Sequence, residues 1–309
     1  VSSVAAPRPS RLALYWRATR PLYLPTSGIP ALVGALVAIG ADDVVWWLAP
    51  VAVVAVLLVH AGVNVTNDVE DYARGVDTEE KMDNSRVFTL GLLSVGEGRA
   101  LAWGYYALGA LLGGLICLVQ GPALLVIGTL GILGGWLYTA GPRPYKYLGL
   151  GDPLIVLLMG PMITQGAYTA VTGDPFDTAA AAVGLVPGLL IAAVLQGNNL
   201  SDIVEDARAG VRTLAVRAGF EGARRLYLVS LALSYLVLPV LVLTGLFGPA
   251  LLIPLVMAPA ALGRARLARA ATAPGDAGLR MLAPLTAQLH LATCLVLAGA
   301  VVVDRVISL

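Results

Sequence analysis

Apolar runs of roughly twenty residues, repeated along the chain, most limit what this sequence can become. Backbone in hydrocarbon must satisfy its own hydrogen bonds, and a single run of that length does so as a helix. Hydropathy and turn residues place nine spans, at about 22–39, 44–67, 98–118, 122–140, 152–170, 178–200, 224–245, 248–262 and 281–303. The eighth is rich in Pro and Gly. Of the 309 residues, 58% are hydrophobic and 13% charged, against about 25% charged in a soluble domain. The expected fold is all-α: a polytopic bundle of nine transmembrane helices forming one domain over residues 1–309, led by a flexible stretch 1–10. That stretch has no apolar core of its own. No cleaved signal peptide is read, and the first span serves as the insertion signal.

The net charge of +1 says nothing of partners, and no nucleic-acid or obligate protein partner is inferred. The placement of charge says more. With nine spans, nineteen of the twenty Lys and Arg residues fall on one side and Arg305 alone on the other. By the positive-inside rule, the N-terminus and the basic loops face the cytoplasm, in the inner membrane of the cell. The opposite loops, such as Ala41-Asp42-Asp43 and Thr172-Gly173-Asp174-Pro175, carry acid and no base, and Trp46 and Trp47 belong at the outer interface.

One acidic segment occurs twice on the basic side. Asn67 to Thr78 reads N-D-V-E-D-Y-A-R-G-V-D-T, and Asp202 to Thr213 reads D-I-V-E-D-A-R-A-G-V-R-T. Six of the twelve positions are identical, and upstream Asn64 matches Asn199 at the same offset. The segments follow spans two and six, so their helices run in parallel. His60, Asn64, Asn67 or Asp68, and Asp71 share one helical stripe; Asn199, Asp202 and Asp206 share another. Carboxylates beside hydrocarbon are costly, so paired clusters imply a site for something strongly charged. Oxygen-only donors suit a hard cation such as Mg2+, which takes one or two carboxylates and fills its other positions with water and phosphate. Two half-sites could therefore hold a diphosphate between metal ions. Arg74, Arg86, Arg143, Lys146, Arg208 and Arg212 could neutralise the rest of its charge. Glu79, Glu80, Lys81, Glu97 and Glu221 are read as ordinary solvated charges.

Other residues have plainer readings. Cys117 and Cys294 lack metal or CxxC spacing and are expected as buried free thiols. Gly109-x-x-x-Gly113 and Gly131-x-x-x-Gly135 are expected at close helix contacts. A lone intramembrane histidine is ordinarily a packing residue, but His60, unlike His290, shares the acidic stripe. A transporter would place acids near the midplane between inverted repeats, whereas these lie at one face in a parallel repeat.

Three stretches resemble the UbiA superfamily of intramembrane aromatic prenyltransferases, and within it the 1,4-dihydroxy-2-naphthoate branch of menaquinone synthesis. They are Asn67-Asp68-x-x-Asp71-Tyr72-x-Arg74-Gly75-x-Asp77, then Tyr138-Thr139-Ala140-Gly141-Pro142 continuing through Lys146 to Asp152, then Asn198-Asn199-x-x-Asp202-x-x-x-Asp206-x-x-x-Gly210-x-x-Thr213. The resemblance implies a nine-helix bundle in which Asn67, Asp71, Asp202 and Asp206 hold Mg2+, supported by Asp77. It implies that Lys146, with Arg74, Arg143 or Arg212, contacts the diphosphate, and that Tyr138 helps position it or lines the region of the allylic cation. Polyprenyl diphosphate and an aromatic acceptor are the implied substrates, and the bilayer is the medium. The implied product is demethylmenaquinone; acceptors of the 4-hydroxybenzoate or homogentisate type are the alternative. Asn64, Asn199 and Arg86 are further candidates for substrate contact, and Asp68, Glu70 and His60 for handling the acceptor. Three departures stand out: Val69-Glu70 in place of two aromatics, which makes the floor of the site more acidic, Ser201 in place of an Arg, and Met82-Asp83-Asn84 before Arg86.

Overall fold

A computed structural model describes residues 9–77 and 85–309. The readings made for Arg8, Thr78, Glu79, Glu80, Lys81 and Met82-Asp83-Asn84, and most of 1–10, lie outside them. The described residues are helical throughout, without a strand. Seven helical stretches are long and apolar enough to cross a membrane: Leu48–Ala73, Val95–Gln120, Gly151–Thr172, Thr178–Ser201, Leu214–Leu243, Pro249–Ala270 and Ala277–Ile307. Two shorter apolar helices, Pro25–Leu36 and Ala123–Thr139, stand at the first and fourth expected spans. The multi-pass reading holds, and seven of the expected spans are full-length among the described residues.

The elements are α1 (Arg11–Ala18), α2 (Pro25–Leu36), α3 (Leu48–Ala73), α4 (Val95–Gln120), α5 (Ala123–Thr139), α6 (Gly151–Met159), α7 (Pro161–Thr172), α8 (Thr178–Val183), α9 (Leu185–Ser201), α10 (Ile203–Arg208), α11 (Leu214–Leu243), α12 (Ala258–Ala270), α13 (Ala277–Arg280) and α14 (Leu282–Ile307). Short-range signals set many boundaries. Ser10 caps α1, its Oγ accepting from the Ala13 amide, and Ser94 with Glu97 forms a reciprocal capping box on α4. The helix α1 was not expected from its polar sequence. Leu214–Leu243 is two helices joined at a break at Gly219 (φ 69°): a short one capped by Thr213, and beyond it the seventh span. The Pro-rich stretch Pro249–Met257 winds as a 3-10 helix before α12.

Enclosure differs among the spans. In Thr178–Ser201, 67% of the apolar window is buried, against 17% in Pro249–Ala270. The former is thus the central post of the bundle, packed on α6, α11 and α14. Its small residues allow that: a methyl group on Gly188 would lie 2.4 Å from the Val156 carbonyl oxygen of α6. Leucines such as Leu111, Leu118 and Leu236 point outward, where lipid rather than water meets them. Trp46 and Trp47 are exposed at the start of α3, the end remote from its acidic residues.

Candidate active site

The two copies of the acidic segment fold alike where their sequences agree. The Val76 amide donates to the Asp71 carbonyl at 2.8 Å, and the Val211 amide to the Asp206 carbonyl at 2.9 Å. The intervening Gly75 and Gly210 both have φ 73°. This is the six-to-one closure of a helix C-terminus, which needs a left-handed residue and so favours glycine. Each closure terminates a helix just beyond its last acidic side chain. The copies differ upstream: α3 runs unbroken to Ala73, but the second stripe is interrupted at Asp202, which ends α9 and starts α10. One continuous helical stripe was expected there. The Asp206 amide still bonds the Asp202 carbonyl at 2.8 Å, so the offset in space persists.

A cavity of about 380 Å³ lies between α2, α3, α5, α7 and α9. Its polar end is formed by Asn64, Asn67, Lys146, Asn199, Asp202 and Asp206, with Tyr138, Asn198 and Arg20 beside them. Both halves of the repeat therefore meet at one hollow. Its remaining walls are largely apolar, interrupted by Thr26, His60 and Thr129, and continue along α4 and α5 to Cys117 and Leu124. Cys117 borders this space and is only partly buried, whereas Cys294 is buried as expected. The expectation for the glycine pairs divides in two. Gly109 and Gly135 pack against Val59 and Val63, but Gly113 and Gly131 face open space in the cavity.

Asp71 is buried and doubly held. Lys146 Nζ lies 2.5 Å from its Oδ2, and the Tyr147 hydroxyl donates to Oδ1 at 2.5 Å. Both donors sit on the 3-10 turn Tyr145–Leu148, which the left-handed Gly149 closes. Burial alone would lower the Lys146 ammonium, yet the Asp71 carboxylate, with Tyr138 and Asp77 nearby, holds it well above the usual lysine value. Burial, then Asp71, pushes the Tyr147 phenol up, so it keeps the proton it donates. Asn67 accepts from the Thr139 hydroxyl at 3.1 Å, and the Asn64 amide donates to the Thr19 carbonyl at 2.8 Å. Ser201 Oγ lies 2.8 Å from Asp202 Oδ1.

Other expected residues sit around this centre. Asp68 turns away from the cavity: it pairs with Arg20 and accepts from the Ser85 amide at 2.9 Å. Glu70 meets Arg99 at 2.7 and 3.2 Å on the α4 side, so it does not make the cavity floor acidic. Arg74 donates to the Gly141 carbonyl at 3.0 Å and stacks 5.3 Å above the Tyr147 ring. Asp77 is buried beside the turn that follows Asp71. Arg86 has left-handed backbone (φ 61°), and Arg143 and Arg212 are exposed and do not line the cavity. Sequence reasoning passed over Tyr147 and Arg20. Tyr147 stood inside the quoted middle loop, and Arg20 was read only as one of the nineteen basic residues.

The donor set can accommodate a divalent cation. Among the described residues no three acidic, His or Cys side chains converge into a ready cage. Asn67, Asp202 and Asp206 instead offer scattered oxygens on the cavity wall, with Asp71 behind Lys146. That fits a cation held jointly by protein and phosphate oxygens rather than by protein alone.

The profile of a known family covers residues 27–292, and its description is the UbiA prenyltransferase family. The chain belongs to this family. It is accordingly a membrane prenyltransferase, and both acidic segments lie inside the matched range. The UbiA chain is 36% identical to the 1,4-dihydroxy-2-naphthoate octaprenyltransferase of Mycobacterium tuberculosis over 216 residues, 70% of this chain and 73% of that protein. It is 32% identical to the enzyme of the same name from Haemophilus influenzae, over 74% of this chain and 78% of that one. Among solved structures, a UbiA homolog from Archaeoglobus fulgidus bound to GPP and Mg2+ superimposes with a TM-score of 0.64 at 18% identity, covering 94% and 99% of the two chains. The apo UbiA homolog from Aeropyrum pernix gives 0.66 at 17% identity, covering 91% and 97%. At such identities the likeness is one of fold.

Proposed function

We propose that this chain transfers a polyprenyl group from an allylic polyprenyl diphosphate to 1,4-dihydroxy-2-naphthoate, giving demethylmenaquinone with Mg2+ assistance. The carrying observation is a cavity polar at one end, where Lys146 meets the duplicated Asn and Asp residues, and largely apolar for the rest of its length. A charged head on a hydrocarbon chain matches it. The acceptor is taken from the relatives at 30% identity or more that bear that name. Asn67, Asp71, Asp202 and Asp206, supported by Asp77, would hold Mg2+. Bound there, the metal neutralises charge on the departing diphosphate. Lys146, kept protonated, contributes a fixed positive charge at the same place, and such preorganised charge is worth most in a water-poor site. Arg74, Arg86, Arg143 and Arg212 would meet the outer phosphate from outside the cavity, and Asn64, Asn199 and Tyr138 would line the reacting end. The apolar walls keep water from quenching the allylic cation, leaving it to the aromatic ring. The active end would face the cytoplasm of an inner membrane, an orientation that the uneven distribution of Lys and Arg supports.

The test is a membrane assay with a panel of hydroxyaromatic acceptors and prenyl diphosphates, identifying products by mass. The naphthoate should be prenylated with loss of its carboxylate, and preferential prenylation of 4-hydroxybenzoate or homogentisate would overturn the acceptor assignment. Asp71→Ala and Asp206→Ala should each lower transfer at least about 100-fold while the protein still inserts. Near-normal turnover in either would remove the metal-site reading. Lys146→Ala should raise the donor KM more than the acceptor KM.

A further inference from the structure

His60 stands on the same face of α3 as Asn64 and Asn67 and borders the cavity beside Tyr23 and Thr26. It lies two helical turns below Asn67, about 10 Å along the axis at 1.5 Å per residue. A hydroxyaromatic ring lying against an allylic carbon at the polar end would fill that interval. Behind His60, the fully buried Ser27 of α2 places Oγ 2.8 Å from His60 Nδ1 and 3.1 Å from the Leu24 carbonyl oxygen. A carbonyl only accepts, so Ser27 can give its single hydroxyl proton to Leu24 and receive Nδ1–H on its lone pair. In that arrangement the imidazole keeps its lone pair on Nε2.

We propose that His60 is a catalytic residue that takes the hydroxyl proton of the aromatic acceptor, with Ser27 the positioning residue that sets its tautomer. This rests on the aromatic acceptor proposed above. In the step, the ring carbon bonds to the allylic carbon with a pair of ring electrons, and the allylic C–O pair leaves with the diphosphate. The hydroxyl proton passes to Nε2 and that oxygen becomes a carbonyl. When the attacked carbon carries a carboxylate, CO2 then departs, its bonding pair restores the aromatic ring, and the oxygen recovers its proton from the imidazolium. The cycle closes with a neutral histidine and a quinol, and needs no oxidant.

The experiment compares wild type, His60→Ala, His60→Gln and Ser27→Ala in membranes with two readouts. One is prenylated aromatic by mass; the other is diphosphate released from the donor without acceptor. His60→Ala and His60→Gln should lower aromatic prenylation at least about 100-fold, the range of a lost general base, and change acceptor-free release less than about threefold. Added imidazole should restore part of the His60→Ala rate. Ser27→Ala should lower kcat about tenfold with the acceptor KM unchanged. Prenylation by His60→Ala within about threefold of wild type would overturn the proposal, as would an equal loss of both readouts, which marks a structural role. A wild-type chain that releases diphosphate but never prenylates an aromatic would overturn the acceptor reading, and this one with it.

Discussion

At the scale of single residues, the contact that organises the site is Asp71 between Lys146 and Tyr147. Hydrogen bonds to charged groups contribute about 1.5–3 kcal/mol, so Tyr147→Phe should loosen this arrangement without abolishing it. About tenfold slower transfer at saturating acceptor is expected, measured as initial rate in membranes, with the donor KM also raised. The pH behaviour follows from the sign of the Lys146 shift. Its folded-state value is raised, so its contribution to stability is fully present below the unfolded value near 10.4 and is lost only as pH rises through the folded value. Melting temperature should therefore not fall between pH 7 and 9 on account of Lys146, which a thermal-shift series in detergent would check. Asp71 was legible because duplication singled it out, whereas loop position offered Lys146 only as one of six basic candidates and the resemblance to the UbiA superfamily marked it among them. Tyr147 was not, since a tyrosine in a loop carries no periodicity, and only the three-dimensional turn shows that its hydroxyl reaches a carboxylate. Side-chain direction also separated Asp68 from Asn67, its neighbour in sequence: one holds Arg20 and Ser85, the other borders the cavity.

Among the helices, hydropathy located nearly every span because burial in lipid selects composition over long windows. Breaks were less visible. Those at Asp202 and Gly219 are decided by one or two dihedral angles, and a twenty-residue average passes over them. The glycines of α4 and α5 show the same limit. Spacing alone could not separate Gly135, pressed on Val63, from Gly131, which faces empty space. That distinction carries a prediction. A leucine at Gly113 or Gly131 would project into the apolar part of the cavity without meeting protein first. Gly131→Leu and Gly113→Leu should slow transfer from long polyprenyl donors more than from short ones, read as the ratio of products in a mixed-donor assay. Equal slowing of all donors would mean that the tail does not run there.

For the whole molecule, the parallel repeat dictates which surfaces share a compartment. The acidic ends of α3 and α9 meet at one hollow, so the exposed Arg143 and Glu205, on the loops beside those ends, belong to one side and the Asp174 loop to the other. With Cys117 and Cys294 replaced, Glu205→Cys should react with a membrane-impermeant maleimide in inverted vesicles, and Asp174→Cys in right-side-out cells. The reverse pattern would overturn the cytoplasmic orientation. The proposed orientation rests on how unevenly Lys and Arg are distributed, a property of the chain as a whole. The tie between Lys146 and Asp71 has an effect at this scale too. The ammonium of Lys146 and the carboxylate of Asp71 are already each other's counter-ion. On the function proposed above, arrival of the donor would exchange counter-ions, the ammonium turning to phosphate and freeing the carboxylate for a cation. Linkage would make such an exchange mutual: donor and cation would strengthen one another's binding by one and the same factor.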